Sequence, residues 1–478
     1  MYPSERDDLV PWLPPLWPWN QSCFFNCVYS SVLTHSSFSS SSHSPIHHRS
    51  VLFCSVLFCS LHAAGNGLSG EIYDEIGWLT SMTHLSLFSN DITGEIPDLS
   101  LLTDLVFLAM ESNELSGAIP EWIGDLTALQ YLALGDNLLS GELPETMANL
   151  VSLEEVALDE NQLSGDISVL ADLPAIRRLY LGHNTFQGEI NDDFLATSEV
   201  VELDLADNQF TGIIPGHFFS RNKLEVLDMH SNQIGGNLPQ DIDRNDRLKF
   251  LSLYDNQIGG AMPSDITKWE AVTHLDLSDN AFTGAMPTDL ELMTKLQYLY
   301  LANNAFTEGP ILDLSLLTGL HELSLKNTQR TGNIPNDVDK LQVLVLLDLD
   351  GNSLSGQIPS TLGSLADLKY LLLNRNQFTG SIPDSFTGLE SIDLLLLDNN
   401  ALTGDDAPIC GPNGPGAPSS FITDCVVQCE CCSLCCDADD TDCYNDDDLL
   451  ANIDYAWEAG YRRDAYVFSE DIIFRTNV

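Results

Sequence analysis

The chain has 478 residues, 44% of them apolar, with a mean hydropathy of -0.01, so it carries ample material for a core and wholesale disorder is excluded. Its 70 Asp+Glu against 19 Lys+Arg give a formal net charge of -51. A surface of that sign repels phosphate, which excludes duplex nucleic acid and anionic lipid as partners and leaves basic proteins, cations and neutral polymers.

The first 60 residues stand apart from the rest. They run from MYPSERDDLVPWLPPLWPWN through a stretch with 12 Ser between 30 and 60 and end in VLFCSVLFCS. Polar low-complexity sequence cannot bury enough surface to order itself, so residues 1–60 are expected to be disordered. The acidic start and the distant apolar run make a poor secretory signal, and the segment reads as a truncated or mis-assembled N-terminus. The longest apolar run, 11 residues at 51–61, falls short of the roughly 18 that cross a bilayer, so no transmembrane segment is expected.

From 61 to 410 a period of 24 residues governs the chain. Asparagine recurs two residues before an apolar side chain at Asn66, Asn90, Asn113, Asn137, Asn161, Asn184, Asn208, Asn232, Asn256, Asn280, Asn304, Asn352, Asn376 and Asn400, with Thr328 in the remaining place. Each unit reads LxxLxLxxNxLSGxIPxxLxxL, as in LTALQYLALGDNLLSGELP at 126–144. The LxL alternation, as at Leu203 and Leu205 or Leu275 and Leu277, sends two leucines inward from a short strand, and neighbouring coils pair these strands in parallel. An inward Asn at the sharp turn that follows can satisfy backbone groups of its own and the adjacent coil, which an apolar side chain cannot. The later Gly admits backbone geometry barred to bulkier residues, and Ile-Pro fixes an extended return, leaving room only for a turn or brief 3-10 segment. The expected fold is an α/β solenoid of about 15 coils, with a parallel sheet on the concave face and short turns or 3-10 segments on the convex side. Between 304 and 330 the pattern fails, with Glu308 for Gly, Ile311 for Pro, Thr328 on the ladder and Arg330 at a core position, which predicts a kink or loosened coil.

This unit resembles the plant-type leucine-rich repeat over about 61–410, as found in receptor-like proteins and polygalacturonase inhibitors. The resemblance implies a secreted or surface-attached, non-enzymatic module whose concave face binds a peptide, a protein or a cell-wall glycan. A second reading is a structural acidic rod at the cell wall or surface, organised by cations or adsorbed to ice.

Residues ahead of and between the strand leucines should face outward on the concave side. One column carries Tyr131, Arg178, Phe250 and Tyr298, the next Tyr180, Asp204, Asp228, Asp276 and Tyr300, with Tyr254 close by. Aromatic anchors beside fixed carboxylates suit peptide or glycan recognition, so these ten are the candidate ligand-binding residues.

After Asn400 the repeat gives way to Cys410, Cys425, Cys429, Cys431, Cys432, Cys435, Cys436 and Cys443. This cluster resembles the C-terminal caps of algal surface leucine-rich-repeat proteins, which implies a disulfide-stapled cap over 411–443 in an oxidising compartment; thiolate ligation of a metal remains the alternative. The acidic tail, 444–478, together with Asp437, Asp439, Asp440 and Asp442, offers weak divalent-cation binding or only a solvated surface. Gly65, Gly67 and Gly70 spell GxGxxG, yet Asn66 and Leu68 between them belong to the first repeat, so no dinucleotide or other cofactor is expected. No catalytic constellation is read: GxSxG is absent, and His321-Glu322 lacks a second zinc-ligating His.

Overall fold

The computed structural model describes residues 59–436, apart from 221–222, 241, 243, 417, 425–426 and 428–430. The calls on residues 1–58, the acidic tail, Cys425, Cys429, Cys443 and the side chain of Cys436 lie outside the described residues, whereas Cys59 and Ser60, which the sequence reading assigned to the disordered segment, are described, and Ser60 opens the first strand.

The chain is a solenoid of stacked coils. Strands at the LxL positions, three residues long except for the five-residue Ser420–Asp424, form a 17-stranded parallel sheet running from Ser60–His62 to Leu434–Cys436. Register never slips along it: Leu179 pairs with Leu203, Leu203 with Leu227, Leu227 with Leu251 and Leu251 with Leu275. The inward leucines of successive coils are thereby stacked into one continuous, fully buried core.

The asparagine ladder closes each coil. Asn137 Nδ2 donates to the carbonyls of Met110, Leu134 and Gly135 at 3.0, 3.1 and 3.0 Å, and its Oδ1 accepts the Leu115 N–H at 2.9 Å. One side chain therefore serves backbone groups of its own coil and the one before it. The residue ahead of it, Asp136, has φ 50°, the left-handed kink that swings the chain away from the strand.

The return segments behave as the Ile-Pro pattern predicts. Pro144, at φ -67° and ψ 137°, ends the extended stretch, and its carbonyl accepts the Met147 N–H at 3.0 Å to start the 3-10 turn Glu145–Asn149. Turns of the same kind follow Pro120, Pro287, Pro335, Pro359 and Pro383.

Two features depart from the sequence reading. The segment after each ladder position is itself a strand, giving a second parallel sheet of seven strands from Ser69–Glu71 to Gln209–Gly212, then shorter sheets of two and four strands. The coil at 304–330 is interrupted only on that outer side, where a single bridge joins Gly309 to Arg330. On the concave side Tyr298, Glu322 and Leu346 stay in register, so the predicted loosening does not extend there. Arg330 explains why: it is 2% exposed, and its guanidinium donates to the carbonyls of Thr328, Pro310 and Thr307. Thr328 takes the ladder place by donating its hydroxyl to the Leu325 carbonyl.

Past the last repeat, Ser420–Asp424 and Leu434–Cys436 add two strands to the concave sheet. A disulfide joins Cys410 to Cys431 with Cα atoms 5.7 Å apart, and Cys59 and Cys432 are disulfide-bonded as well. Cys435 corrects the expectation of a fully oxidised cluster: it lies on the terminal strand, exposed and free. Asp406, Cys410 and Cys431 are spaced like metal ligands, but the two sulfurs are bonded to each other, and Asp406 accepts the Cys431 N–H at 3.2 Å.

Candidate ligand-binding face

Because the strands advance by one coil at a time, equivalent residues line up across the concave sheet at about 4.8 Å intervals. Side chains at that spacing touch. The columns that the sequence places on the surface consequently pack against one another. Of the ten candidate residues, Tyr180, Asp228, Phe250, Tyr254, Asp276 and Tyr300 are buried, while Tyr131, Arg178, Asp204 and Tyr298 are half-buried. None is exposed, because each is covered in part by its neighbours one coil away. They form the relief of the face.

Three zones follow one another along it. In the first, Phe107 stacks on Tyr131 with centroids 4.4 Å apart and planes 7° from parallel, over a floor of Ala109, Ala133 and Ala157 that Tyr180 completes. Arg178 then bridges Glu155 at 3.2 Å and Glu202 at 3.3 Å, and the Tyr180 hydroxyl donates to Glu202.

The second zone is acidic and aromatic. Asp228 Oδ1 accepts His230 Nδ1 at 2.6 Å, and Asp207 accepts His230 Nε2 at 3.0 Å. Burial lowers the affinity of that imidazole for a proton, but Asp228 and Asp207 outweigh it and push the pKa up to about 10. Tyr254 stacks on the His230 ring at 4.4 Å. Phe250 stacks on His274 at 4.3 Å, Tyr298 follows at 5.4 Å, and the Tyr300 hydroxyl donates to Glu322 at 2.9 Å. Asp276 accepts both the Ser278 N–H, at 2.9 Å, and its hydroxyl. Burial, with Asp228 nearby, holds Asp204 protonated well above the usual carboxylate range.

The third zone is apolar: Leu372, Leu394, Leu396 and Ile422 are buried on the concave side, with Tyr370 and Leu434 against them. Its signal lay in the unbroken Leu runs 371–373 and 394–397, where an LxL reading expects a polar residue between. A further column, one residue past the second leucine, holds Glu111, Asp159, His230, Tyr254 and Asp350, of which the sequence reading had singled out Tyr254 alone. The dyad rule places such a residue beyond the strand, yet the chain keeps facing the concave side until the left-handed kink.

A parallel solenoid with an asparagine ladder and a continuous concave sheet defines the class of leucine-rich-repeat proteins. Family models described as leucine-rich repeat match residues 198–258 and 342–402, and residues 79–96. Among solved structures the chain is similar to a TDR receptor, with 30% identity, 79% of this chain and 69% of that one covered, and a TM-score of 0.63. It is similar also to the plant peptide hormone receptor RGFR1 in complex with RGF2, with 29% identity, 77% and 63% coverage and a TM-score of 0.67. The Arabidopsis receptor kinase HAESA, in complex with the peptide hormone IDA and the co-receptor SERK1, matches with 28% identity, 73% and 71% coverage and a TM-score of 0.57. No curated protein sequence matches the chain. The chain belongs to the leucine-rich-repeat family. It spans less than two thirds of the RGFR1 chain. No helix among the described residues is long and apolar enough to cross a membrane.

Proposed function

We propose that the chain is a non-enzymatic recognition module, secreted or held at the cell surface, whose concave face captures a basic peptide or a basic segment of a protein. The observation that carries this reading is the charge pattern of that face. Its cations are already engaged: Arg178 with Glu155 and Glu202, Arg375 and Lys326 with Asp350, and His230 with Asp207 and Asp228. Glu111, Asp159, Asp204 and Asp348 stand in no ion pair among the described residues, and burial pushes each up to about 7, so the face gains negative charge, and with it attraction for cations, as pH rises through neutrality. The aromatic stacks beside them supply apolar area for retention. Support for a peptide comes from RGFR1 and HAESA, solved with peptide hormones bound, and support for an oxidising, extracellular setting from the Cys410–Cys431 disulfide.

The test uses two multiple variants, Asp204→Asn/Asp228→Asn/Asp276→Asn and Phe250→Ala/Tyr298→Ala, screened with the parent against basic peptides and wall glycans. The carboxylate variant should slow capture and flatten its salt dependence, and the aromatic variant should shorten residence. If neither alters an interaction of the parent while substitutions at the convex Glu121 and Glu145 do, the concave assignment is wrong.

A further inference from the structure

At the centre of the concave trough one hydroxyl has no use within the fold. Ser252 lies between Leu251 and Leu253, is 1% exposed, and its Oγ has no hydrogen-bond partner. Buried polar atoms are satisfied in nearly all native structures, so an orphan of this kind marks a place for a group the fold does not supply. Its strand neighbours in register are Asp228 on one side and Asp276 on the other, 6% and 5% exposed. At about 4.8 Å per strand, the row Asp228, Ser252, Asp276 is roughly 10 Å long. Phe250, His274 and Tyr298 stack along one flank of it, and Tyr254 on His230 along the other. Asp204 continues the row beyond Asp228.

We propose that this row seats an arginine side chain of the ligand, an inference that rests on the concave-face reading above. The guanidinium is planar and carries five donors in a fixed fork, so it can reach acceptors on neighbouring strands at once, where an ammonium is a single point of charge. Its flat face stacks on aromatic rings, and rings line both flanks. A small metal ion fits the row less well, since it draws oxygens to within about 2.3–2.6 Å of one point. Among the described residues the group of acidic, His and Cys atoms gathered tightly enough for an ion is Asp406, Cys410 and Cys431, at the far end of the solenoid.

The experiment titrates the full chain with blocked pentapeptides Gly-Gly-Xaa-Gly-Gly in which Xaa is arginine, lysine or citrulline, read by saturation-transfer NMR and amide hydrogen exchange. The arginine peptide should bind at least tenfold more tightly than its neutral citrulline isostere, with lysine between. It should protect amides of the strands at 226–228, 250–252 and 274–276. Asp276→Asn should weaken arginine binding at least tenfold, and the milder Ser252→Ala about threefold with the melting temperature kept. Glu189→Gln, on the outer sheet, should change nothing. Equal binding of arginine and citrulline, or Ser252→Ala and Asp276→Asn proteins that stay folded and bind arginine as the parent does, overturns the arginine seat. If a longer basic peptide still protects the concave strands and still depends on Tyr298, the concave reading survives that result. If protection falls on the outer sheet instead, both readings fall.

Discussion

Arg330 Nη2 donates to the carbonyl oxygen of Thr307 at 2.6 Å, joining two coils at the place where the repeat pattern fails. The same guanidinium holds the Pro310 carbonyl at 3.2 Å and the Thr328 carbonyl at 3.0 Å. A buried arginine with no carboxylate beside it has its charge spread over three backbone acceptors, and in return it closes a gap left where the outer sheet is interrupted. Arg330→Leu restores the consensus core residue and strands those carbonyls. We expect it to destabilise the protein by about 2 kcal/mol. Urea unfolding measures this; a variant at least as stable as the parent shows that the consensus residue would have served equally.

The ladder predicts a loss of similar size from the opposite change. Asn232 Nδ2 donates to Leu205, Met229 and His230 carbonyls at 2.9, 3.2 and 2.9 Å, and its Oδ1 accepts the Phe210 N–H at 2.9 Å. Asn232→Leu leaves these groups unsatisfied and should cost about 2 kcal/mol or more, seen as a lower melting temperature. An unchanged melting temperature contradicts the ladder's role.

The sequence made the ladder and the inner strands legible for one reason: each depends on a side chain of one chemical type at a fixed spacing. Asn137, Leu132 and Leu134 could be placed from pattern alone. The outer sheet was not legible, because strands such as Ser69–Glu71 are built from backbone pairing around glycine and serine, with no apolar alternation to betray them. The concave site was legible in direction but not in burial. Alternation says that Asp276 and Tyr300 point to the concave face; it does not say that neighbours one coil away will cover them. Arg330 was read as damage because sequence gives the cost of a buried charge and conceals the three carbonyls that receive it.

Glycines in the left-handed region should be irreplaceable where coils touch and tolerant where they do not. Gly212 has φ 99°, and a Cβ there would lie 2.1 Å from the Ile190 carbonyl oxygen. Gly67 has φ 63° and nothing within 4 Å of the same position. Gly67→Ala should cost only the left-handed backbone penalty, about 1 kcal/mol, and Gly212→Ala at least twice that. Equal costs in paired melts would show that the neighbouring coil moves aside freely.

The cap should show two kinds of cysteine. Native protein exposed to a thiol reagent is expected to label Cys435 quickly and Cys410 and Cys431 not at all. Cys435→Ser should leave stability unchanged, whereas Cys410→Ala/Cys431→Ala, opening a bridge with sequence separation 21, should cost about 3 kcal/mol. Peptide mapping that finds Cys435 bridged in the native protein refutes the assignment.

Stability should rise on mild acidification. Burial pushes Glu111 up to about 7, with Asp159 and Glu155 adding to it, and burial with Asp204 pushes Asp159 up to about 7. In the unfolded chain such groups titrate near ~4. The folded state thus binds these protons first, so stability grows as pH falls from about 7 towards ~4 and is lost as pH rises through about 7. His230 acts in the same sense at higher pH: with a folded pKa of about 10, its contribution is complete below ~6.5 and fades as pH climbs to about 10. Opposing them, Asp98 and Asp313 are held below the usual carboxylate range by hydrogen bonds from Ser100 and Ser315, and their contribution disappears only as pH drops below ~4. The maximum should therefore lie on the acidic side of neutrality, with a higher melting temperature at pH 5 than at pH 8.5. Glu111→Gln/Asp159→Asn should raise the melting temperature at pH 8.5 and narrow that gap, and His230→Gln should lower it at pH 7 while flattening the slope above. A melting temperature at pH 5 equal to or below that at pH 8.5 would mean that the concave carboxylates are solvated in the folded protein, and the packing of the face described above would have to be abandoned.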